Sequence, residues 1–311
     1  MTKYYLKQAE YYHRIYLTVR AHPFMITHDI SVETGISRNT VSRYLRDMIK
    51  RQALVGPHLK LKPNVNYPRY IHLTSFSSPE KTFNLFKEFP RVLSYARCFG
   101  DWNFLFVTDR LVDFSQLKGH SKTFYWGKRG FIWDVPAQFA TWSDTCSVID
   151  DVVKNPGRIE IPQEEPVEIP WTQDQWKIFW RFKDNPRLKA TPALKEIRVS
   201  YEAFSDWKRS IEHYVQTSVG YYPQGFPYHT KMYFLLETDQ PQHVSAVFQC
   251  WPTTTMFTQV DNKLLVLLAV PGGRFLSKVL NLFDSLVTEN FISSFKHALF
   301  VQQWRNNFPP I

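Results

Sequence analysis

The sequence predicts an α+β fold in which two three-helix units alternate with two βαββαβ units related by a pseudo-twofold axis. Three observations predict it. At 311 residues the chain is long enough for two or three units, each with its own core. The stretch NPGRIEIPQEEPVEIP, Asn155 to Pro170, holds four prolines, four glutamates and no aromatic residue, the composition of an extended connector, and it divides the chain into nearly equal halves. Sliding the sequence against itself by 163 residues sets His22-Pro23 on Asn185-Pro186, Ile36-Ser37 on Val199-Ser200, Val41-Ser42 and Tyr44 on Phe204-Ser205 and Trp207, and Asn103 to Val107 on Val266 to Val270. The same element types thus recur in the same order.

Each half opens on helical patterning. Tyr4 to Ala21 has apolar residues at near-helical spacing, and Asp29 to Thr34 forms a short second helix ended by Gly35. The third helix starts at Ser37, whose hydroxyl can accept an orphan amide of the first turn, and carries Val41, Leu45, Met48 and Ile49 as its inward stripe. Leu54 to Tyr70 reads as a β-wing with Gly56-Pro57 and Lys62-Pro63 near its turns.

The period then changes. Tyr70 to Phe76 alternates as a strand, Ser78-Pro79 opens a helix from Glu80 to Phe89, and Val92 to Cys98 and Trp102 to Thr108 form two strands around Gly100-Asp101. A helix near Val112 to Leu117 and a strand at Phe131 to Val135 complete βαββαβ, while Gly119 to Gly130 is not placed. In the second half, helices run from Thr172 to Trp207 and beyond, followed by strands at Lys231 to Leu236, Thr254 to Val260, Leu264 to Val270 and Ala298 to Trp304. Helices at Pro241 to Gln249 and Phe275 to Val287 lie between them. The expected units are 1–68, 69–154, a connector 155–170, 171–227 and 228–311. A βαββαβ sheet exposes one face, so the two sheets are expected to cover each other.

Composition narrows the function classes. The net charge is +10, and residues 1–70 hold twelve Lys/Arg against four Asp/Glu, so most of the excess lies in the first quarter of the chain. That distribution favours an anionic partner. Cys98, Cys146 and Cys250 are too few and too far apart for a disulfide framework or a zinc pattern. The amino terminus lacks a signal-peptide core, and the longest apolar run, Leu264 to Val270, is too short to span a bilayer. A soluble cytoplasmic protein without a membrane role is expected.

The stretch GISRNTVSRYLRDMIKRQAL carries the sharpest functional signal. With its apolar stripe turned inward, Arg38, Asn39, Ser42 and Arg43 occupy the first two turns, where a helix in the major groove touches base edges. Arg46 and Lys50, together with Lys60 and Lys62 on the wing and Arg69 beyond it, are expected to hold phosphates. The equivalent helix of the second half carries Tyr201, Glu202 and Asp206 at the places of Arg38, Asn39 and Arg43, so it is expected to be structural. A chain with one reading helix is expected to form a dimer to reach two half-sites on double-stranded DNA.

GISRNTVSRYLRDMI, followed by a wing and a βαββαβ unit, resembles the Lrp/AsnC family of feast/famine transcription regulators, over residues 8–140 and more weakly over 172–305. The resemblance implies a winged helix-turn-helix that binds DNA and ferredoxin-like βαββαβ modules that dimerise and bind small effectors; it also carries an association with archaeal sources. The family's effector turn corresponds to Gly100, Asp101 and Asn103, with asparagine at the last position where the family has aspartate. Val260-Asp261-Asn262-Lys263 lacks the glycine. Small-molecule effector binding is doubtful on that pattern.

A group with the same layout, the siroheme decarboxylases, holds a carboxylate-rich tetrapyrrole with basic and histidine residues, which makes a tetrapyrrole enzyme the alternative. His72, His120, His229 and His297 form no pair at ligand spacing, and no H-E-x-x-H, C-x-x-C, G-x-S-x-G or P-loop pattern is present. A third reading is a partner-binding architectural factor docking through Phe124-Tyr125-Trp126 or Gly220 to Tyr228. The main expectation is a DNA-binding regulator, not an enzyme, without catalytic residues, cofactor or metal.

Overall fold

The structure is a computed structural model that describes residues 3–162 and 165–305. Gln163 and Glu164 of the expected connector, and the outer ends of the first and last expected units, lie outside the described residues. The first half contains α1 (Lys3–Ala21), α2 (Thr27–Thr34), α3 (Arg38–Lys50), β1 (Leu54–Leu61), β2 (Tyr70–Phe76), α4 (Pro79–Leu85), β3 (Val92–Gly100), β4 (Phe104–Thr108), β5 (His120–Val135) and α5 (Trp142–Lys154). The second contains α6 (Gln173–Phe182), α7 (Ala190–Ile197), α8 (Tyr201–Tyr214), β6 (Val215–Tyr221), β7 (Thr230–Glu237), α9 (Pro241–Val247), β8 (Thr255–Val260), β9 (Lys263–Val270), α10 (Arg274–Thr288) and β10 (Ser294–Arg305). The fold is mixed α+β.

Local chemistry explains the first three helices. Gly35 ends α2 in the left-handed conformation (φ 64°), and the Ser37 hydroxyl accepts the Thr40 amide at the start of α3. Val41, Leu45 and Met48 are buried, but Ile49 is 54 % exposed, and Tyr44 takes the fourth inward place. Tyr44 lies three residues after Val41 and four before Met48, inside the stripe, whereas Ile49 lies at its edge. The Tyr44 ring packs edge-on against Tyr12 of α1 at 5.0 Å.

The expected wing is not a hairpin. Beyond β1 the chain turns on Asn64, whose side chain donates to Lys62 O (2.8 Å) and accepts from the Tyr67 amide (2.7 Å), with Pro63 and Pro68 removing two donors. The strand that pairs with β1 is β6, antiparallel, from Leu54 opposite Tyr221 to Leu61 opposite Val215. The segment expected to be a free connector is also tied down. Val65 N donates to Val167 O (3.1 Å), Val167 N donates to Pro63 O (3.2 Å), and Ile169 is buried.

The two expected sheets do not stack face to face. They join edge to edge into one closed barrel of order β10-β3-β4-β2-β5-β8-β9-β7. Closure leaves no strand edge of this sheet unpaired. From His120 onward the unplaced stretch Gly119 to Gly130 belongs to β5, which pairs with β2 and then with β8. The expected helix at Val112 to Leu117 is only a short 3₁₀ turn, Phe114–Gln116. The unanticipated α5 follows a reciprocal cap in which Thr141 accepts the Asp144 amide and Asp144 accepts the Thr141 amide. α5, α9 and α10 cover one outer flank with Phe234, Phe248, Phe257 and Phe283 beneath them. Phe76, Phe86, Phe104 and Phe106 fill the opposite flank, while Leu73, Ala96, Trp102, Leu265 and Ala298 fill a cluster of their own.

The seams are clamped at two hairpin tips. Asp101 N donates to His297 O (3.0 Å), and His297 N donates to Asp101 Oδ2 (2.7 Å). Across the barrel, Asp261 N donates to Lys128 O (3.0 Å), and Lys128 N donates to Asp261 Oδ1 (3.1 Å). Gly100 at the first tip has φ 153°, and a Cβ there would meet His297 O at 2.5 Å. Gly100→Ala is therefore expected to destabilise the protein by about 1–3 kcal/mol, read as a lower denaturant midpoint. An unchanged midpoint contradicts the close approach.

Candidate functional site: a basic cleft at one barrel mouth

The β1–β6 ribbon lies over a mouth of the barrel. Leu59 and Leu61 point away from it into the cluster formed with Phe179, Phe182 and Trp207, so strand alternation turns Lys60 toward the barrel. The Arg129 guanidinium reaches up from β5 to Leu61 O (3.0 Å), and Gln216 Nε2 of β6 donates to Ile132 O (2.6 Å). A cleft of about 180 Å³ remains between ribbon, mouth and α6, lined by Lys60, Arg69, Ser94, Arg129, Lys183 and Arg305 among apolar neighbours that include Phe179 and Trp180.

Among the described residues no carboxylate lines this cleft. Arg69 is 8 % exposed, and no described carboxylate pairs with it. Among the described residues the half-buried Lys60 ammonium has the Met256 sulfur as its polar contact, at 2.9 Å. The Arg129 Nε is buried without a partner. Burial weakens the hold of each group on its proton. Lys60 is pushed down to about 8, with Asp134 opposing and Arg305 and Arg129 reinforcing, and Arg129 is pushed down to about 10 with Arg69 reinforcing. Arg69 is lowered by burial against a small opposing effect of Asp109. Lys183 differs from them, since it pairs with Asp184 at 3.0 Å and lies over the Trp180 ring at 5.0 Å. Desolvated cations of one sign that share a cleft cost stability until an anion joins them.

Three expected phosphate contacts are thereby relocated. Arg69 is buried at the barrel mouth, Lys60 faces the cleft, and Lys62 is half-buried where its amide donates to Tyr214 O (2.9 Å). None stands on a projecting wing, because β1 is held between α6 and the barrel rather than free in solvent. The others stay at the surface. Arg38, Asn39, Arg43, Arg46 and Lys50 are exposed and Ser42 is half-buried, with Arg43 over the Tyr44 ring at 5.0 Å. On α8, Tyr201 and Glu202 are exposed, Asp206 pairs with Arg209, and Lys208 lies over Phe24 at 5.4 Å.

The residues of the expected effector turn make contacts within the fold. Asp101 clamps β10, while Asn103 accepts the Phe76 amide (2.9 Å) and donates to Phe76 O (2.8 Å). The histidines are dispersed. His72 contacts Thr108 Oγ1 (3.1 Å) and is held neutral by burial at about 4; His229 contacts Gly225 O (3.0 Å), and His120 contacts Thr123 (2.9 Å). Among the described residues no group of three or more His, Cys, Asp or Glu is placed to hold a metal ion, and no helix is long and apolar enough to cross a membrane. A roomier cavity of about 580 Å³ is lined by Glu165, Asp239 and Asp261 with Lys263, which pairs with Glu237. Its charge suits no anion.

Two chains of solved structures align with this one over most of its length. The siroheme decarboxylase NirDL matches 94 % of this chain and 92 % of its own at 10 % identity, with a TM-score of 0.48. Its co-complex with an iron-uroporphyrin III analogue matches 94 % and 91 %, again at 10 % identity, with a TM-score of 0.45. No protein-family model and no curated protein matches the sequence. Both aligned chains carry the name of an enzyme, and the expectation that this chain is not an enzyme is withdrawn.

The charge in the cleft has a measurable cost. Lys60→Met removes an uncompensated ammonium and is expected to stabilise the ligand-free protein by about 1–3 kcal/mol at pH 7, measured by chemical denaturation. Lys60 binds its proton less tightly folded than unfolded, so the penalty is full below about pH 8 and disappears as pH rises toward the ordinary 10.5. The gap between the two proteins should close over that window. A destabilised variant, or a gap that widens with pH, contradicts the assignment.

Proposed function

We propose that the mouth cleft binds carboxylate groups of a polyanionic ligand and that the protein is an enzyme of the siroheme decarboxylase type, acting on a tetrapyrrole. One observation carries the reading: Lys60, Arg69 and Arg129 converge on one cleft from which carboxylates are missing. Its volume is below that of a drug-sized pocket, so it would take a carboxylate arm with the ring outside the opening. Arg69 and Arg129 offer planar forks suited to carboxylates. Apolar neighbours such as Leu93 and Val107 exclude water and strengthen that attraction.

The reading includes the pseudo-twofold plan. α7 and α8 begin 163 residues after α2 and α3, and β3-β4-β2-β5 and β8-β9-β7-β10 are successive runs in the barrel. Under that offset Lys60 and Arg69 correspond to Pro223 and Met232, so only one of two related mouths keeps its charge. The units 1–68, 69–154, 171–227 and 228–311 remain our proposed boundaries.

The test is a titration of uroporphyrin III into the full chain. Arg69→Gln and Arg129→Gln are each expected to weaken binding by roughly 30-fold or more, as loss of one partner from a buried charged contact costs about 2–5 kcal/mol. Absence of binding to wild type, or equal binding by both variants, refutes the reading.

A second reading rests on a separate observation. Arg38, Arg43, Arg46 and Lys50 are exposed along α3, and no described carboxylate pairs with them. They support duplex DNA binding, with Arg38, Asn39, Ser42 and Arg43 at bases, Arg46 and Lys50 at phosphates, and a homodimer spanning two half-sites. Selection from random duplexes tests it: Arg43→Ala should cost about 1–3 kcal/mol on the selected site. Failure to enrich any sequence removes this reading and leaves the cleft untouched.

A further inference from the structure

The cleft holds three arginines, two lysines and one serine, and their chemistry is not equivalent. Decarboxylation breaks the bond between a methylene carbon and its carboxylate. The electron pair stays on carbon, carbon dioxide leaves, and a proton must reach that carbon. A guanidinium gives up its proton less readily than Lys60 even where burial lowers it, as at Arg129, which sets aside Arg69, Arg129 and Arg305. Lys183 is engaged by Asp184 and Trp180, and a serine hydroxyl is a weak acid.

We infer that Lys60 is the proton donor of this reaction, an assignment that rests on the decarboxylase reading above. Its ammonium faces the cleft from β1 with Met256 Sδ as its polar contact, and no described residue forms an ion pair that withholds the proton. The charged groups around it come from every neighbouring element: Arg129 and Asp134 on β5, Arg305 on β10, Arg69 before β2 and Lys183 after α6. Asp134 is the one carboxylate among them, and Arg20 holds it at 2.6 Å. The net field is positive and the site is partly desolvated, which accounts for a proton released near pH 8. In the step, the Lys60 N–H bond breaks as the new C–H bond forms. The products are a methyl group, carbon dioxide and a neutral amine, which water then reprotonates.

The experiment compares wild type, Lys60→Met and Lys60→Arg in the full chain, with siroheme as substrate and iron-uroporphyrin III as the binding probe. Lys60→Met is expected to lose at least about a hundredfold in kcat, the lower end of general-acid contributions, while its affinity for the probe changes by less than about tenfold. Lys60→Arg keeps the positive charge and the affinity for the probe without restoring turnover. Wild-type kcat/KM falls tenfold per pH unit above about 8, and the residual activity of Lys60→Met lacks that limb. The stability gained by Lys60→Met separates this loss from misfolding. Active wild type with undiminished turnover in Lys60→Met, or with rescue by Lys60→Arg, overturns the assignment alone. Wild type that neither binds the probe nor consumes siroheme overturns the decarboxylase reading and this assignment with it.

Discussion

Antiparallel pairing between the two halves of the chain is the constraint on which everything else depends. β5 leaves β2 to pair with β8, and β10 leaves β7 to pair with β3, so each half completes the other's sheet. Unpaired strand edges would leave rows of amides and carbonyls seeking partners. Closing the barrel satisfies them and fixes the mouth over which the β1–β6 ribbon lies. The reciprocal contacts of Asp101 with His297 and Asp261 with Lys128 pin the two seams.

From that closure follows the electrostatic problem in the molecule. Lys60 arrives from β1, Arg69 from the approach to β2 and Arg129 from β5, and the pairing brings all three to one cleft that no described carboxylate lines. Each would be unremarkable in water. Gathered under a ribbon and against Phe179, they weaken one another's charged forms. A fold selected for stability alone would replace Lys60 with an apolar side chain. The stability that Lys60 costs is what the proposed anionic ligand would return, in keeping with the trade between activity and stability at functional sites.

The helices were legible because their signals are local. Gly35, Ser37 and the stripe of Val41, Leu45 and Met48 lie within a few turns of one another and give α2 and α3 almost residue for residue. The α5 signal was equally local in Thr141 and Asp144, a reciprocal cap overlooked in reading the sequence. Gly127 and Gly130 interrupt the pattern of β5, in the stretch that was not placed; a Cβ at either would press against Asp261 or Gln259. The cleft was not legible. Lys60 and Arg69 registered as surface charge beside a basic helix because nothing near them in sequence shows that β6, about 160 residues later, covers the strand that carries Lys60. Burial set by partners so distant in the chain has no local signature.

The most direct test of the central claim is a crystal structure of the full chain with iron-uroporphyrin III. The account predicts one ligand carboxylate within ion-pair distance of Arg69 and Arg129 beneath the β1–β6 ribbon, with Lys60 beside it. A ligand bound elsewhere, with this cleft holding no carboxylate, would contradict it.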